Sequence, residues 1–500
     1  MREYLTVDEL KVLSFDAIER LQNLRFRATV RYLLPWVKAY AQLFKQYKVD
    51  PFKIDSVEDW QKQGMPLIKK SYYMKRPEDF IVKPDVVHIF GQHLKYVLAQ
   101  EELGEATDLM LGIVTDATKK AIKEYYNPKM LVFSGGTEYG VPVPAVLTAE
   151  QKFGIMSNIL LIVGELLMRR YFGEQRIVGM NVFPYAPHLG WHAVHMAFDL
   201  NVDFNLHTAA GGAVSSEKLV LLAHKLKPNV IAGMADYLKN RWLPLAIQRK
   251  IKLPERVMFV NGAQKMLEPE RKQIEELAKK LGVKHPVVID FYGVSELKED
   301  IMAECKPGSG FHHLAPLSNI IRTVSVPEGR VKELVENWEF TEPAQGGYAT
   351  CWNIDGAGTL FEGYIIGDVY DKILHTTCPH CGLHVERIFN INRIREKEAQ
   401  LRLTGMVEEK VKGTRINLVA MREAALESKK VKEAQVLLRR TRKGDQLMLN
   451  FVPKDTKQAA LKALKRALEM FEVKPKLVPV KFEKLIGKKL KFEAIKIESS

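Results

Sequence analysis

Residues Val288 to Glu296, VIDFYGVSE, form an apolar run that breaks at Tyr292-Gly293 and is followed at once by a hydroxyl, Ser295, and a carboxylate, Glu296. A buried strand ending there would present both groups at its tip: Ser295 could donate to a phosphate oxygen, and Glu296 could hold the Mg²⁺ that accompanies a polyphosphate. Gly293 would let the backbone turn where a ligand approaches. The competing reading is a plain strand-end turn with an exposed Glu. A second stretch, Phe133 to Pro144, FSGGTEYGVPVP, follows the apolar MLVF of Met130 to Phe133 and gathers Ser134, Gly135, Gly136 and Thr137. A loop of this composition lets backbone N–H groups and hydroxyls wrap a phosphate chain; a Gly-rich strand connection is the alternative. The chain has no G-x-x-x-x-G-K-[ST], so a P-loop NTPase is excluded.

Groups at strand ends need a sheet to hold them. Between about 130 and 300 the apolar runs QRIVGMNVF, NVIAGM, RVMFVNGA and PVVIDFYG alternate with helical segments such as SEKLVLLAHKL and EPERKQIEELAKKLG. Strand and helix in repetition predict an α/β fold whose sheet is largely parallel and covered on both faces. Residues 1 to about 90 read as helices, with Asp55 to Asp59 a capped start after Pro51. Short strands and turns from about 310 to 390 predict a β-rich subdomain, and the tail from about 405 predicts a small α+β domain. At 500 residues the chain exceeds one core, which fits a large domain over 1–404 and a small one over 405–500.

The net charge of +15 admits nucleic acid, a membrane surface or anionic small molecules as partners. No compact basic helix interleaved with aromatics is evident, so nucleic acid is not expected, and lysines interspersed with glutamates read as solvated surface. Ile155 to Met168 is apolar but short and ends in Arg169-Arg170, which predicts a buried helix and no membrane span. The amino terminus carries no apolar h-region, and the cytoplasm is the default expectation.

Taken together, Ser134 to Pro142 and Tyr292 to Glu296 resemble, in order and separation, the phosphate loop and the YG-x-[ST]-E strand end of the adenylate-forming enzymes. The phenylacetate–coenzyme A ligase group is the most similar. Asn261-Gly262-Ala263 resembles the family's segment beside the adenine, Gly367-Asp368 its ribose-binding motif, and Glu304-Cys305 the E-C that follows the YG strand. The amino-terminal helical region is similar too, so the resemblance spans nearly the whole chain. It departs in three places: one extra residue lies between Thr137 and Gly140, Val143 stands where many relatives have Lys, and Tyr364-Ile365-Ile366 replaces Tyr-Arg-Thr.

The resemblance implies an ATP-dependent ligase that turns a carboxylic acid, aryl or otherwise small, into an acyl-adenylate and passes the acyl group to coenzyme A. Transfer to another acceptor, or a nucleotide-binding protein without turnover, is the alternative. It implies that Ser134, Gly135, Gly136, Thr137, Gly262, Ala263, Tyr292, Gly293, Ser295 and Asp368 bind ATP and that Glu296 holds Mg²⁺. Near the carboxyl terminus, Gly487-Lys488-Lys489 resembles the family's catalytic Gly-Lys; either Lys488 or Lys489 would bridge carboxylate and α-phosphate. Arg393 falls near the family's hinge arginine, and Gly413 where the small domain covers the thiol. His188, Trp191 and His192 lie where relatives line the acyl pocket, although an aromatic cluster after a strand is more often core. A homodimer is compatible with the group.

Three of the four cysteines, all but Cys351, fall in paired spacings. Cys378-Pro-His-Cys381 is a C-x-x-C, and Cys305 lies seven residues before His312. In a reducing compartment two such pairs suit tetrahedral zinc better than a disulfide, with buried free thiols as the alternative. The related group has a similar pairing, which implies structural Zn²⁺ on Cys305, His312, Cys378 and Cys381. His313 and His380 are the competing ligands.

Overall fold

The computed structural model describes residues 5–499 apart from 84–92, 94, 98, 100–115, 139–140, 186–188, 211–212, 263–264, 330, 395–396, 406, 412–413, 442–443, 482–484 and 486–493. Residues Met1–Phe133 with Pro144–Ile394 form one compact unit, and Ser134–Val143 with Arg395–Ser500 form another.

The first unit is built on a 9-stranded sheet. Its strands run, from one edge, Lys372–Leu374, Arg387–Phe389, Phe311–His312, Met302–Ala303, His285–Tyr292, Arg256–Asn261, Val230–Ala232, Val178–Asn181 and Phe204–His207. The last five named are parallel, and the other four are antiparallel. Alternation decides which side each residue serves. Ile231, Val257, Phe259 and Val288 pack with Leu219, Ala223, Ile274 and Ala278 of helices Ser216–Leu226 and Glu268–Lys279. Their neighbours Val230, Ala232, Met258, Val260 and Ile289 pack on the opposite face with Ile159, Ile162 and Phe198. Strands buried on both sides are why these runs read as unbroken apolar blocks.

The helix containing Ile155–Met168 is longer than the sequence suggested. It spans Glu150–Phe172, 23 residues, which by length and composition alone could cross a membrane, and 61% of its most apolar window is buried inside the protein. Gly164 lets it approach helix Leu189–Asn201, since a Cβ there would collide with the Asn201 side chain. Asn201 Nδ2 donates to Leu160 O at 2.9 Å across the contact.

A 7-stranded sheet completes this unit: Leu334–Val335, Leu67–Ile68, Glu362–Tyr370, Gly347–Asn353, Asn319–Ser325 and Glu339–Phe340 in order, with Asn392–Arg393 also pairing Glu362–Tyr370. Two expectations need adjusting. The amino-terminal region is helical but contributes the strand Leu67–Ile68, parallel to Glu362–Tyr370. The strands of 310–390 do not form a sheet of their own, because Phe311–His312, Lys372–Leu374 and Arg387–Phe389 extend the 9-stranded sheet instead. The predicted helix start is present: Ser56 Oγ accepts from Asp59 N at 3.3 Å, and Asp59 Oδ2 accepts from Asp55 N at 3.2 Å.

In the second unit, Lys476–Pro479, Gly444–Pro453, Val431–Thr441 and Ile495–Ser499 make a 4-stranded sheet. Helices Leu418–Glu427 and Lys457–Ala467 bury Met421, Ala425 and Leu464 against Leu438, Phe451 and Ile495. Helical period 3.6 against strand period 2 is what made this tail readable as α+β.

Candidate nucleotide and metal sites

The strand His285–Tyr292 ends as predicted, and Ser295–Leu297 follows as one 3₁₀ turn. Gly293 does not make the turn by an unusual backbone: its φ is not positive, and a Cβ would touch only Asp300 O at 3.8 Å. The strained residue is Lys298, at φ 53 and ψ −106. Its ammonium, fully buried, lies 2.7 Å from both carboxylate oxygens of Asp355. A buried cation so paired anchors the residues just beyond Glu296.

Glu296 is 4% exposed. Ser295 Oγ donates to its Oε2 at 3.0 Å, and Asn353 Nδ2 holds its backbone carbonyl at 3.1 Å. Ser295 is therefore turned toward its neighbour's carboxylate. Burial raises the Glu296 pKa, opposed by the positive charges of Lys70 and Arg393. A buried carboxylate that is easier to protonate than usual is one that a further cation would stabilise as the anion.

Tyr292 points its hydroxyl at the second sheet, donating to Asp368 Oδ2 at 2.8 Å and sharing a 3.0 Å hydrogen bond with Tyr370 Oη. Burial, and then the Asp368 charge, push the Tyr292 pKa well up, so it remains a donor. Gly367 precedes Asp368 at φ 93, a conformation glycine adopts without strain. Arg393 stands directly opposite Asp368 in the antiparallel pairing of Asn392–Arg393 with Glu362–Tyr370, and its Nε lies 3.1 Å from Asp368 Oδ1. Strand register thus brings together three residues separated by 25 to 101 positions in sequence: Tyr292, Asp368 and Arg393. Tyr370 and Lys70 belong to the same surroundings and were not singled out; Tyr370 lies two residues beyond Asp368, on the same strand face, which is the signal that could have found it.

Gly262 follows Asn261, whose side chain is fixed on both sides. Asn261 Oδ1 accepts from Ala235 N at 2.8 Å, and its Nδ2 donates to Asp290 Oδ1 at 2.6 Å. Burial lifts the Asp290 pKa to about 7 against the Asn261 hydrogen bond.

The Gly-rich segment differs from the predicted loop. Strand Pro128–Glu138 carries Ser134, Gly135, Gly136 and Thr137 in its backbone and pairs with Val141–Thr148 in a 2-stranded sheet. Ala263, Gly413, Lys488 and Lys489, together with His188, lie outside the described residues. Trp191 donates from Nε1 to Thr208 O at 2.9 Å and meets Tyr185 edge-on at 4.9 Å, and both it and His192 are half-buried.

Cys305, His312, Cys378 and Cys381 converge, their ligand atoms all within 4.8 Å of one another. Cys305 and Cys378 sulfurs are 3.7 Å apart, and Cys381 Sγ is 3.4 Å from His312 Nε2. Sulfurs about 2.3 Å from a tetrahedral ion are separated by about 3.8 Å, and a sulfur–nitrogen pair by about 3.6 Å, so the spacing fits zinc. His312 Nδ1 faces Ala303 O at 3.0 Å, which leaves Nε2 free to ligate. The hydrogen bond from Cys381 draws the Cys305 pKa far down and raises that of Cys381, as expected when crowded thiols share protons. His313 is not a ligand: it is buried 2.9 Å from Asp300 and 3.3 Å from Glu386. The backbone carbonyl of His380 accepts from Arg170 at 2.6 Å, and the residue does not belong to the converging set.

No family profile matches the chain, and no curated protein does either. Among solved structures it is similar to 2-hydroxyisobutyryl-CoA ligase in complex with 2-HIB-AMP and CoA in the thioesterification state, at TM-score 0.64 and 14% identity, covering 99% of this chain and 92% of that one. An open conformation of that ligase with 2-HIB-AMP and CoA gives 0.55 at 14% identity, covering 99% and 95%. Its postadenylation state with R3-HIB-AMP gives 0.55 at 13%, covering 98% and 91%. The chain shares the fold of this ligase along nearly its whole length.

Proposed function

We propose that this protein is an ATP-dependent acid–thiol ligase that forms an acyl-adenylate and then a thioester, with coenzyme A as acceptor and an aryl or other small organic acid as substrate. The observation that carries the reading is the convergence of Tyr292, Asp368 and Arg393 beside the buried Glu296. On a fold shared with a CoA ligase, it would offer a carboxylate for ribose hydroxyls, a cation for the phosphates and a carboxylate for Mg²⁺ in one region.

In this reading the acid's carboxylate oxygen attacks the α-phosphorus of ATP and pyrophosphate leaves. The thiol sulfur then attacks the acyl carbon, and AMP leaves with the bridging oxygen. Asp368, held from two sides, would accept from the ribose hydroxyls, and Tyr292 would fix its orientation. Glu296 would hold the Mg²⁺ that neutralises phosphate charge during transfer. Ser134, Gly135, Gly136 and Thr137 would wrap the phosphates, Gly262 and Ala263 would flank the base, and Lys488 or Lys489 would meet the charge that gathers as carboxylate approaches phosphate. The large domain, 1–404, would carry the nucleotide, and 405–500 with Gly413 would serve the thiol step.

We further assign structural Zn²⁺ to Cys305, His312, Cys378 and Cys381, supported by the spacing of the four and by the Ala303 carbonyl behind His312. A panel of carboxylic acids scored by ATP–pyrophosphate exchange tests the function. Exchange that depends on particular acids, followed by thiol-dependent AMP release, is the expected result. No exchange with any acid would leave nucleotide binding without turnover.

A further inference from the structure

We propose that His195, Asp199 and His207 form a second metal site, which takes an exchangeable divalent first-row ion of the zinc type. His195 and Asp199 are one turn apart on helix Leu189–Asn201 and so share a face. His207 is the last residue of the edge strand Phe204–His207, which runs parallel to Val178–Asn181. Three segments of different origin are not needed; one helix face and one strand end meet.

The geometry is that of chelation. His195 Nε2 lies 3.4 Å from Asp199 Oδ2 and His207 Nε2 lies 3.0 Å from Asp199 Oδ1, and all three ligand atoms fall within 4.8 Å. Nitrogen and oxygen ligands each about 2.0–2.1 Å from one tetrahedral ion are separated by about 3.3 Å. A gap of 3.4 Å is long for an N–H···O bond, and the His195 contact is an ion-pair approach only. The two imidazole rings meet edge-on, centroids 4.2 Å apart at 71°, so they reach the carboxylate from different directions.

The surroundings hold this arrangement without an ion. His195 stacks on Trp191 at 5.2 Å and 14°, and Trp191 Nε1 donates to the carbonyl of Thr208, the residue after His207. Asn205 Nδ2 donates to Asp199 Oδ1 at 3.0 Å. Two imidazoles and one carboxylate suit zinc, nickel, cobalt or ferrous iron rather than calcium or magnesium. Asp199 is half-exposed, leaving room for water to complete the coordination.

One contrast sets the strength. His312 has the Ala303 carbonyl behind its Nδ1, whereas Nδ1 of His195 and of His207 is buried with no hydrogen-bond partner among the described residues. Such outer partners are worth roughly 10- to 100-fold in affinity, so this site should bind more weakly than the cysteine cluster by about that factor or more. It is therefore an exchangeable site rather than a permanent one, and an ion there would tie the edge strand to the helix that carries Trp191 and His192.

Full-length protein produced with Co²⁺ in place of Zn²⁺, so that the cysteine cluster carries Co²⁺, and then titrated with further Co²⁺ under visible absorption tests this. Thiolate sites give intense sulfur-to-metal charge-transfer bands, and a His-Asp-His site does not. The wild type should take up one further equivalent of Co²⁺ without new charge-transfer intensity, and excess Zn²⁺ should displace it. Asp199→Asn, which keeps the shape, and His207→Gln should each weaken that uptake by tenfold or more while leaving the charge-transfer bands intact. Intact bands also report that each variant is folded. No further equivalent in the wild type, or uptake unchanged in both variants, would overturn the proposal.

Discussion

Glu296 sits where two demands meet, since it is too buried to be an idle surface charge and its carboxylate, which accepts from the neighbouring Ser295 hydroxyl, also feels the positive charges of Lys70 and Arg393. Replacing it by Gln keeps the shape and removes the charge, so pyrophosphate exchange should fall by about a hundredfold or more, as it does when a single electrostatic stabiliser is lost. Unchanged exchange in Glu296→Gln would remove that residue from the phosphate site. Asp290 makes a second prediction at this scale. Its folded pKa is raised to about 7 from 3.8, so the folded protein holds a proton that the unfolded chain releases between those values. Stability from this group is therefore full below about pH 4 and is lost as pH rises to about 7. Asp290→Asn should flatten the fall of the melting temperature across that window. A slope equal to that of wild type would show that other groups cause it.

At the scale of elements, the cysteine cluster brings the turn of Cys378–Cys381 against Cys305 and His312, beside the antiparallel strands Met302–Ala303 and Phe311–His312, so that zinc there would staple them. Structural zinc contributes on the order of 10 kcal/mol in small domains, so Cys378→Ser should lower the melting temperature markedly and release the metal. Protein purified without chelator that contains no zinc would contradict the assignment. Much of this level was legible in advance. Unbroken apolar runs identified strands covered on both faces, and paired Cys and His spacings pointed to the cluster, because both signals are local. The continuation of strand Pro128–Glu138 through Ser134-Gly135-Gly136-Thr137 was not legible, since two glycines read as a loop unless the partner strand is known. The Asp368–Arg393 pairing was hidden for the same reason: it depends on register between strands, which sequence periodicity does not carry. Gly293 makes its turn without a positive φ, a backbone detail that residue type alone does not give.

At the scale of the molecule, the chain folds as two compact units, and the proposed reaction has two steps that should make separable demands. In the family that the chain resembles, the carboxyl-terminal lysine serves adenylation. Replacing both Lys488 and Lys489 by Ala should thus abolish pyrophosphate release while leaving thioester formation from supplied acyl-adenylate within about tenfold of wild type. Equal loss in both half-reactions would point to a lysine serving coenzyme A or to misfolding. The central claim, that the acid is activated by joining to AMP, is tested most directly by following oxygen. With an acid that supports exchange, labelled with ¹⁸O in its carboxylate, and with ATP and coenzyme A present, one label per turnover should appear in AMP and none in pyrophosphate. Label retained wholly in the acid, or transferred to inorganic phosphate with ADP as the other product, would contradict the account.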